Sequence, residues 1–310
     1  MFGSGWIDAH TALLAEIIIN ILLGYSLQVV LRAGVFSVAG VGFFTLGAYT
    51  SGILAVHGVA APLAILLGIL GSMIVGYLIS IALLRLSGHY LAIATIAFDL
   101  VVTVIASNGG RLTGGATGLV AIPVSVGLPQ LLIALVVFSF ICATLERGRT
   151  GRSIVVLASD SDLAVTLGMG TRSIHRALFV YSAGLGAIAG SGYALMFNAV
   201  TPDQAGFNLV ATILSLAVIG GLGSWLGCVI GGILITSAPF WLTGIGKWAQ
   251  LGYGILLLAV ILWVPTGILG ALRSIRFGSR RPPTTHDTRR PTASGGPLIP
   301  ADGRPAKEPA

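Results

Sequence analysis

Apolar residues fill this chain in long, nearly unbroken runs, and polar residues are confined to short stretches between them. The runs cover residues 11–31, 35–56, 60–84, 90–107, 128–145, 177–197, 207–223, 225–241 and 249–269. Each approaches the roughly 20 residues that a helix needs to cross about 30 Å of hydrocarbon. The pattern predicts an all-α polytopic integral membrane protein with about 8–10 transmembrane helices, nine by direct reading. Runs 207–223 and 225–241 are short and meet at Gly223 and Ser224. They read either as two spans joined by a tight turn or as one broken, re-entrant element.

Composition points to lipid as the main solvent. Hydrophobic residues make up 55% of the 310 positions and charged residues only 9%, against roughly 25% charged in soluble domains. Mean hydropathy is +0.97. A net charge of +7 raises the question of nucleic acid, but the basic residues form no aromatic-interleaved face, and a nucleic-acid partner is not expected. With nine spans and the N-terminus outside, Arg32, Arg85, Arg147, Arg149, Arg152, Arg172 and Arg176 fall on the cytoplasmic side. So do Arg273, Arg276, Arg280, Arg281, Arg289, Arg290, Arg304 and Lys307 near the C-terminus, whereas only Arg111 and Lys247 fall outside. That asymmetry follows the positive-inside rule, and removing one late span would invert it for the tail. The expected placement is a multi-pass protein of the plasma or inner membrane.

Cys142 and Cys228 both lie within apolar runs and read as small buried hydrophobes. The first run lacks a basic leader and has the length of a span, so no cleavable signal peptide is expected. Residues 1–276 are read as the membrane domain. Residues 277–310 are rich in Arg and Pro and predict a disordered cytoplasmic tail, read as inert in preference to a lipid-binding segment.

Catalytic patterns are missing from the sequence. Gly246-Lys247 is followed by Trp248 without a glycine lead-in, so it makes no phosphate loop. His10, His57, His89, His175 and His286 are scattered, and no cofactor or metal is expected. Residues 146–176 form the longest polar interruption. Within it, Asp160 and Asp162 open a short helix whose N-terminus favours negative charge, Leu163 and Ala164 follow, and Gly168 ends it. From spacing alone, this segment is either a docking helix for a partner or a solvated connection.

Asp162-Leu163-Ala164, three further residues and then Gly168 resemble the E-A-A-x-x-x-G loop of ABC importer permeases, with Asp for Glu and Leu for the first Ala. Ordered blocks are similar to the LIV-type permeases for branched-chain amino acids: Phe43 to Thr50, His89 to Thr95, Leu112 to Leu119, Val218 to Ser224, and Pro265-Thr266-Gly267. The likeness spans roughly residues 12–272, and the Leu112–Leu119 block is more similar to the M-type than the H-type subunit. The resemblance implies a permease subunit that forms half of a translocation path. Its implied partners are a second, H-like permease subunit, two ABC ATPase subunits and an extracytoplasmic substrate-binding protein, and Asp160 to Gly170 would be the docking helix. It implies transport rather than an enzyme activity, with branched-chain amino acids as substrate and urea or amides as the alternative.

Polar and glycine positions within the runs are the remaining candidates. A charge at the bilayer centre costs roughly 2.5–3.5 kcal/mol on insertion scales, so Asp99, midway along the fourth run, must face protein or water. A structural hydrogen bond is the favoured reading for it. Glu16 and Asn20 are spaced i, i+4 in the first run. Tyr49, Tyr90, Thr95 and Asp99 are candidates to line the path. So are the breaks Gly114-Gly115 and Gly220-Gly221, for which packing is the competing reading. Gly186/Gly190, Ala183/Ala187 and Gly227/Gly231 have small-xxx-small spacing and read as helix packing. An ion-coupled secondary transporter using Asp99 or Glu16 is the rival from another class.

Overall fold

Ten α-helices form among the described residues of the computed structural model, which are 4–83, 85–86, 88–221, 224–242 and 254. They are α1 (Ser4–Leu31), α2 (Gly40–Val56), α3 (Ala61–Leu83), α4 (His89–Asn108), α5 (Leu128–Arg147), α6 (Arg149–Ser159), α7 (Ser161–Thr166), α8 (Thr171–Phe197), α9 (Phe207–Gly220) and α10 (Trp225–Leu242). The run expected at 249–269, apart from Gly254, the Pro265-Thr266-Gly267 block, Lys247 and the basic tail all lie outside the described residues.

Six helical stretches are long and apolar enough to cross a membrane: His10–Leu31, Ala61–Leu83, His89–Asn108, Leu128–Glu146, Thr171–Phe197 and Pro202–Gly220. Gly40–Val56 and Trp225–Phe240 are shorter apolar helices. Proline marks several starts. Pro62 and Pro129 sit at the second positions of α3 and α5, where a missing backbone N–H costs nothing.

Burial separates centre from periphery. The apolar stretches of α1 and α8 are 72% and 78% buried, whereas that of α5 is 11% buried. Most of α2 is buried as well. Around this three-helix centre, α3, α4 and α5 turn apolar faces outward, with Ile74, Ile105 and Phe140 all exposed. In water such faces would be untenable; against lipid they cost nothing. Together with the six apolar stretches, they describe an all-α polytopic membrane protein.

Glycine brings α2 and α8 together. A Cβ on Gly186 would reach the Gly40 carbonyl at 2.6 Å, one on Gly190 would overlap the Phe44 carbonyl, and one on Gly47 would overlap the Ala187 backbone. The two backbones touch, which is how helices gain van der Waals energy when lipid removes the hydrophobic drive between them. Gly76 of α3 meets Ala183, and Gly231 of α10 meets the Leu216 carbonyl of α9. The small-residue spacings therefore serve packing.

Three element boundaries differ from the sequence reading. Residues 35–39, expected to be helical, precede α2 as non-helical chain, although Ser37, Val38 and Ala39 are buried. Their amides find side-chain partners instead: Val38 N donates to Thr95 Oγ1 and Ala39 N to Ser37 Oγ. In the other direction, α8 begins at Thr171, taking in polar residues that the apolar pattern left out. The segment 149–159, read as part of a connection, is the helix α6, with Ile154 and Leu157 buried three residues apart. Residues 207–241 resolve into two helices. Gly220 lies against Gly227 and Leu216 against Gly231, so α9 and α10 run antiparallel.

At the end of the molecule where α4 and α8 finish, a two-residue ladder pairs β1 (Leu119–Val120) with β2 (Ala199–Val200), antiparallel, with Leu119 opposite Val200. Gly114 and Gly115 belong to the loop leading into β1, both at positive φ. They shape a connection six residues beyond α4 and do not interrupt a span.

Candidate functional site

The buried face of α4 carries Leu91, Thr95, Asp99, Val102 and Ala106, the spacing of one helical stripe. Thr95 is fully buried and Asp99 is 3% exposed. Thr95 Oγ1 accepts from Val38 N at 3.2 Å, and Asp99 Oδ1 accepts from Gly42 N at 2.8 Å. The first amides of a helix lack intrahelical acceptors and carry partial positive charge. Asp99 thus caps the start of α2 from across a helix interface, and Thr95, one turn earlier on α4, holds the non-helical chain that leads into it. A Cβ on Gly42 would stand 2.7 Å from Asp99 Oδ1 and 2.6 Å from Phe98 Cε1, so only glycine admits the carboxylate here. Phe98 packs on Phe43 with ring centroids 5.2 Å apart. Asp99 Oδ2 is buried without a hydrogen-bond partner. The structural hydrogen bond favoured from sequence is present, and it leaves half of the carboxylate's accepting capacity unused.

A second trans-cap closes the start of α10. Glu146, near the end of α5, accepts from Trp225 N at 2.7 Å and pairs with Arg32 Nη1 at 2.8 Å through the same oxygen, Oε1. Gln28 Nε2 of α1 reaches this oxygen at 3.5 Å, and the Cys228 thiol donates to Gln28 Oε1 at 3.2 Å. One carboxylate therefore ties together the ends of α1, α5 and α10. Sequence reading placed Glu146 only as the first residue of a polar segment. Its isolation at the end of an apolar run, beside a basic stretch, was the available signal.

Next to this junction, α6 packs against the turn between α1 and α2, and α7 packs on α6 and α8. Gly34, at φ +76, closes α1: its amide bonds to the Leu31 carbonyl at 3.0 Å and that of Val35 to Val30 at 3.3 Å. A Cβ on Gly34 would stand 3.2 Å from Ala158 Cα near the end of α6. His175 Nε2 of α8 lies 3.3 Å from the Ala33 carbonyl. A cleft of about 550 Å³ opens here, lined by Val35, Phe36, Leu91, Leu157, Asp160 and His175 among others. In α7, which contains Asp162, Leu163 and the fully buried Ala164, the helix ends in the same kind of αL turn. Gly168, at φ +74, donates to the Val165 carbonyl and Met169 to that of Ala164. Open space surrounds the position a Gly168 Cβ would take.

The remaining candidates are dispersed. Tyr49 is buried on α2 with its hydroxyl unpartnered, while Tyr90 is 75% exposed on the opposite side of α4 from Thr95 and Asp99. Gly220 and Gly221 end α9, whereas the Gly114-Gly115 loop leads to Gly118, which meets Val200 and Thr201 ahead of the start of α9. Glu16 is exposed, and Asn20 donates to Thr236 Oγ1 of α10 at 3.0 Å. Among the described residues no three His, Cys, Asp or Glu side chains gather as a metal site.

Residues 10–265 match the family model described as the branched-chain amino acid transport system permease component. The chain is 27% identical over 309 residues to the high-affinity branched-chain amino acid transport system permease protein LivM of Escherichia coli strain K12, covering 88% of this chain and 72% of that protein. It is 32% identical over 147 residues to the corresponding protein BraD of Pseudomonas aeruginosa, covering 46% and 47%. To LivH of Salmonella typhimurium it is 29% identical over 171 residues, 53% of each chain. No solved structure matches.

Proposed function

This chain belongs to the branched-chain amino acid transport system permease family, and from that premise we propose that it forms half of the translocation path of an ABC importer for branched-chain amino acids. It is a transport component, not an enzyme. In this reading a second permease subunit completes the path, two separate ATPase subunits supply the work, and an extracytoplasmic binding protein delivers the solute. Nine spans cross the membrane, with the N-terminus outside and the end carrying α6 and α7 in the cytoplasm. The arginines support this orientation: Arg32, Arg85, Arg152, Arg172 and Arg176 belong to the α6–α7 end, and Arg111 lies beyond α4 at the other.

Asp160, Asp162, Leu163, Ala164 and Gly168 form the coupling element on which an ATPase docks. The observation that carries this reading is the contact of Ala158 with Gly34. A push on α7 passes through α6 to the α1–α2 turn without crossing solvent. From there it reaches residues 35–39 and the start of α2, where Thr95 and Asp99 hold the amides of Val38 and Gly42. Because α2 and α8 touch backbone to backbone, they move as one rigid body. Tyr49 then lies on the moving pair, Thr95 and Asp99 lie on the face of α4 that grips its start, and the path runs beside them.

The variant Asp162→Arg with Gly168→Trp tests the coupling assignment. Membrane insertion is expected to persist while ATPase co-purification and uptake are both lost. Retention of both would sink the docking role. Titration of the cognate binding protein with leucine, isoleucine and valine tests the substrate, and selective binding of urea or amides instead would overturn it while leaving the permease role intact.

A further inference from the structure

Where α3 ends and α8 begins, Arg85, Arg172 and Arg176 line one cleft of about 430 Å³ together with Ile81. Arg172 and Arg176 are one turn apart on α8, so both leave the same face of that helix. Arg85 arrives from just beyond the last turn of α3. Among the described residues no carboxylate lines this cleft or pairs with any of the three. Two of these cations sit in the first two turns of α8, where the helix dipole disfavours positive charge, and Gly170 offers no side-chain cap. Three like charges gathered at the positive end of a helix call for an anion.

The surface leading to the cleft identifies that anion. Ile74, Leu78 and Ile81 are spaced four and three residues apart and so share one stripe of α3, and Arg85 follows two residues after that helix ends. Ile74 is 63% and Leu78 60% exposed. An exposed apolar stripe thus leads to a tri-arginine cleft at the end of a helix long and apolar enough to cross a membrane. A soluble anion or an acidic protein surface would have no use for the apolar wall. A phospholipid would use both parts.

We propose that Arg85, Arg172 and Arg176 bind the phosphate of an anionic phospholipid whose acyl chains lie along Ile74 and Leu78 of α3. The site depends on the chain's membrane residence and not on the solute it transports or the assigned docking helix. Occupancy neutralises the start of α8, the helix that packs against α2, so the lipid composition of that leaflet sets the electrostatic strain in the central pair.

The test is native mass spectrometry of the full chain in neutral detergent, titrated separately with phosphatidylglycerol, phosphatidylcholine and inorganic phosphate. Phosphatidylglycerol is expected to fill one site that phosphatidylcholine does not. Arg172→Gln should weaken it about fivefold, and Gln at all three positions on the order of 100-fold. Arg111→Gln should change nothing. Should the triple Gln variant fail to fold, a triple Lys variant, expected to bind within a few-fold of wild type, and Arg172→Gln decide the matter. Unchanged phosphatidylglycerol affinity in the Arg172 and triple variants would overturn the site. So would inorganic phosphate binding as tightly as the lipid, which marks a free-anion site. Loss of a co-purifying ATPase subunit with lipid affinity intact would equally overturn it, reassigning the arginines to a protein contact.

Discussion

A hydrogen atom where other residues carry a methyl group lets Asp99 reach the start of α2. Gly42 leaves the 2.8 Å bond to its amide open, and a Cβ would stand within 2.7 Å of both Phe98 and the carboxylate. Asp99→Ala should lower stability by about 1–3 kcal/mol, the range for leaving a buried hydrogen-bond partner unsatisfied, whereas Asp99→Asn retains an acceptor and should lose less. Gly42→Ala should resemble Asp99→Ala, and the double variant should cost little more than either alone, because both remove one interaction. Thermal unfolding in detergent measures the cycle; additive losses would show that the bond contributes nothing. Glu146 is a parallel case at α10. Glu146→Gln keeps an acceptor for Trp225 N but gives up the ion pair with Arg32, so Glu146→Ala should be the more damaging change, by about 1–2 kcal/mol on the same assay.

Among the elements, the α2–α8 pair is the part least tolerant of added volume. Gly190→Leu would drive a side chain into the Phe44 carbonyl, and nothing nearby can yield because the obstacle is backbone. Gly71, on α3, has no atom within 4 Å of its would-be Cβ. Gly71→Leu should therefore leave the melting temperature and yield near wild type, while Gly190→Leu should abolish a folded peak in size-exclusion chromatography. Comparable behaviour of the two variants would contradict the close crossing. The same elements show how far local pattern reaches. The small-residue pairs were legible as packing sites, but their partners were not. The helix α6 was missed because its buried apolar content, Ile154 packed with Ala33 and Leu178 and the buried Leu157, is too brief to register beside 20-residue runs.

For the molecule as a whole, charge and hydropathy set a direction that can be probed directly. Arg152 and Arg111 are both exposed, near opposite ends of the helical assembly. In intact cells, Arg111→Cys should react with a membrane-impermeant maleimide and Arg152→Cys should not, reversing only when cytoplasmic access is provided. The native Cys142 and Cys228 are buried and should stay silent. Labelling of Arg152→Cys from outside would invert the proposed topology.

What the chain's order of residues determined by itself is the solvent. A composition this apolar, in runs this long, is stable only in hydrocarbon, and each such run must close its own backbone hydrogen bonds as a helix. It also determined the polar segment around Asp162 and Gly168, through short-range capping chemistry and resemblance. Tertiary structure alone decided that Asp99 caps α2, that Glu146 caps α10, and that Gly34 abuts Ala158. These are meetings between residues 57, 79 and 124 positions apart in the chain. Periodicity sees neighbours along one helix, and which helices adjoin is settled by backbone closeness and by buried polar groups that must find a partner somewhere.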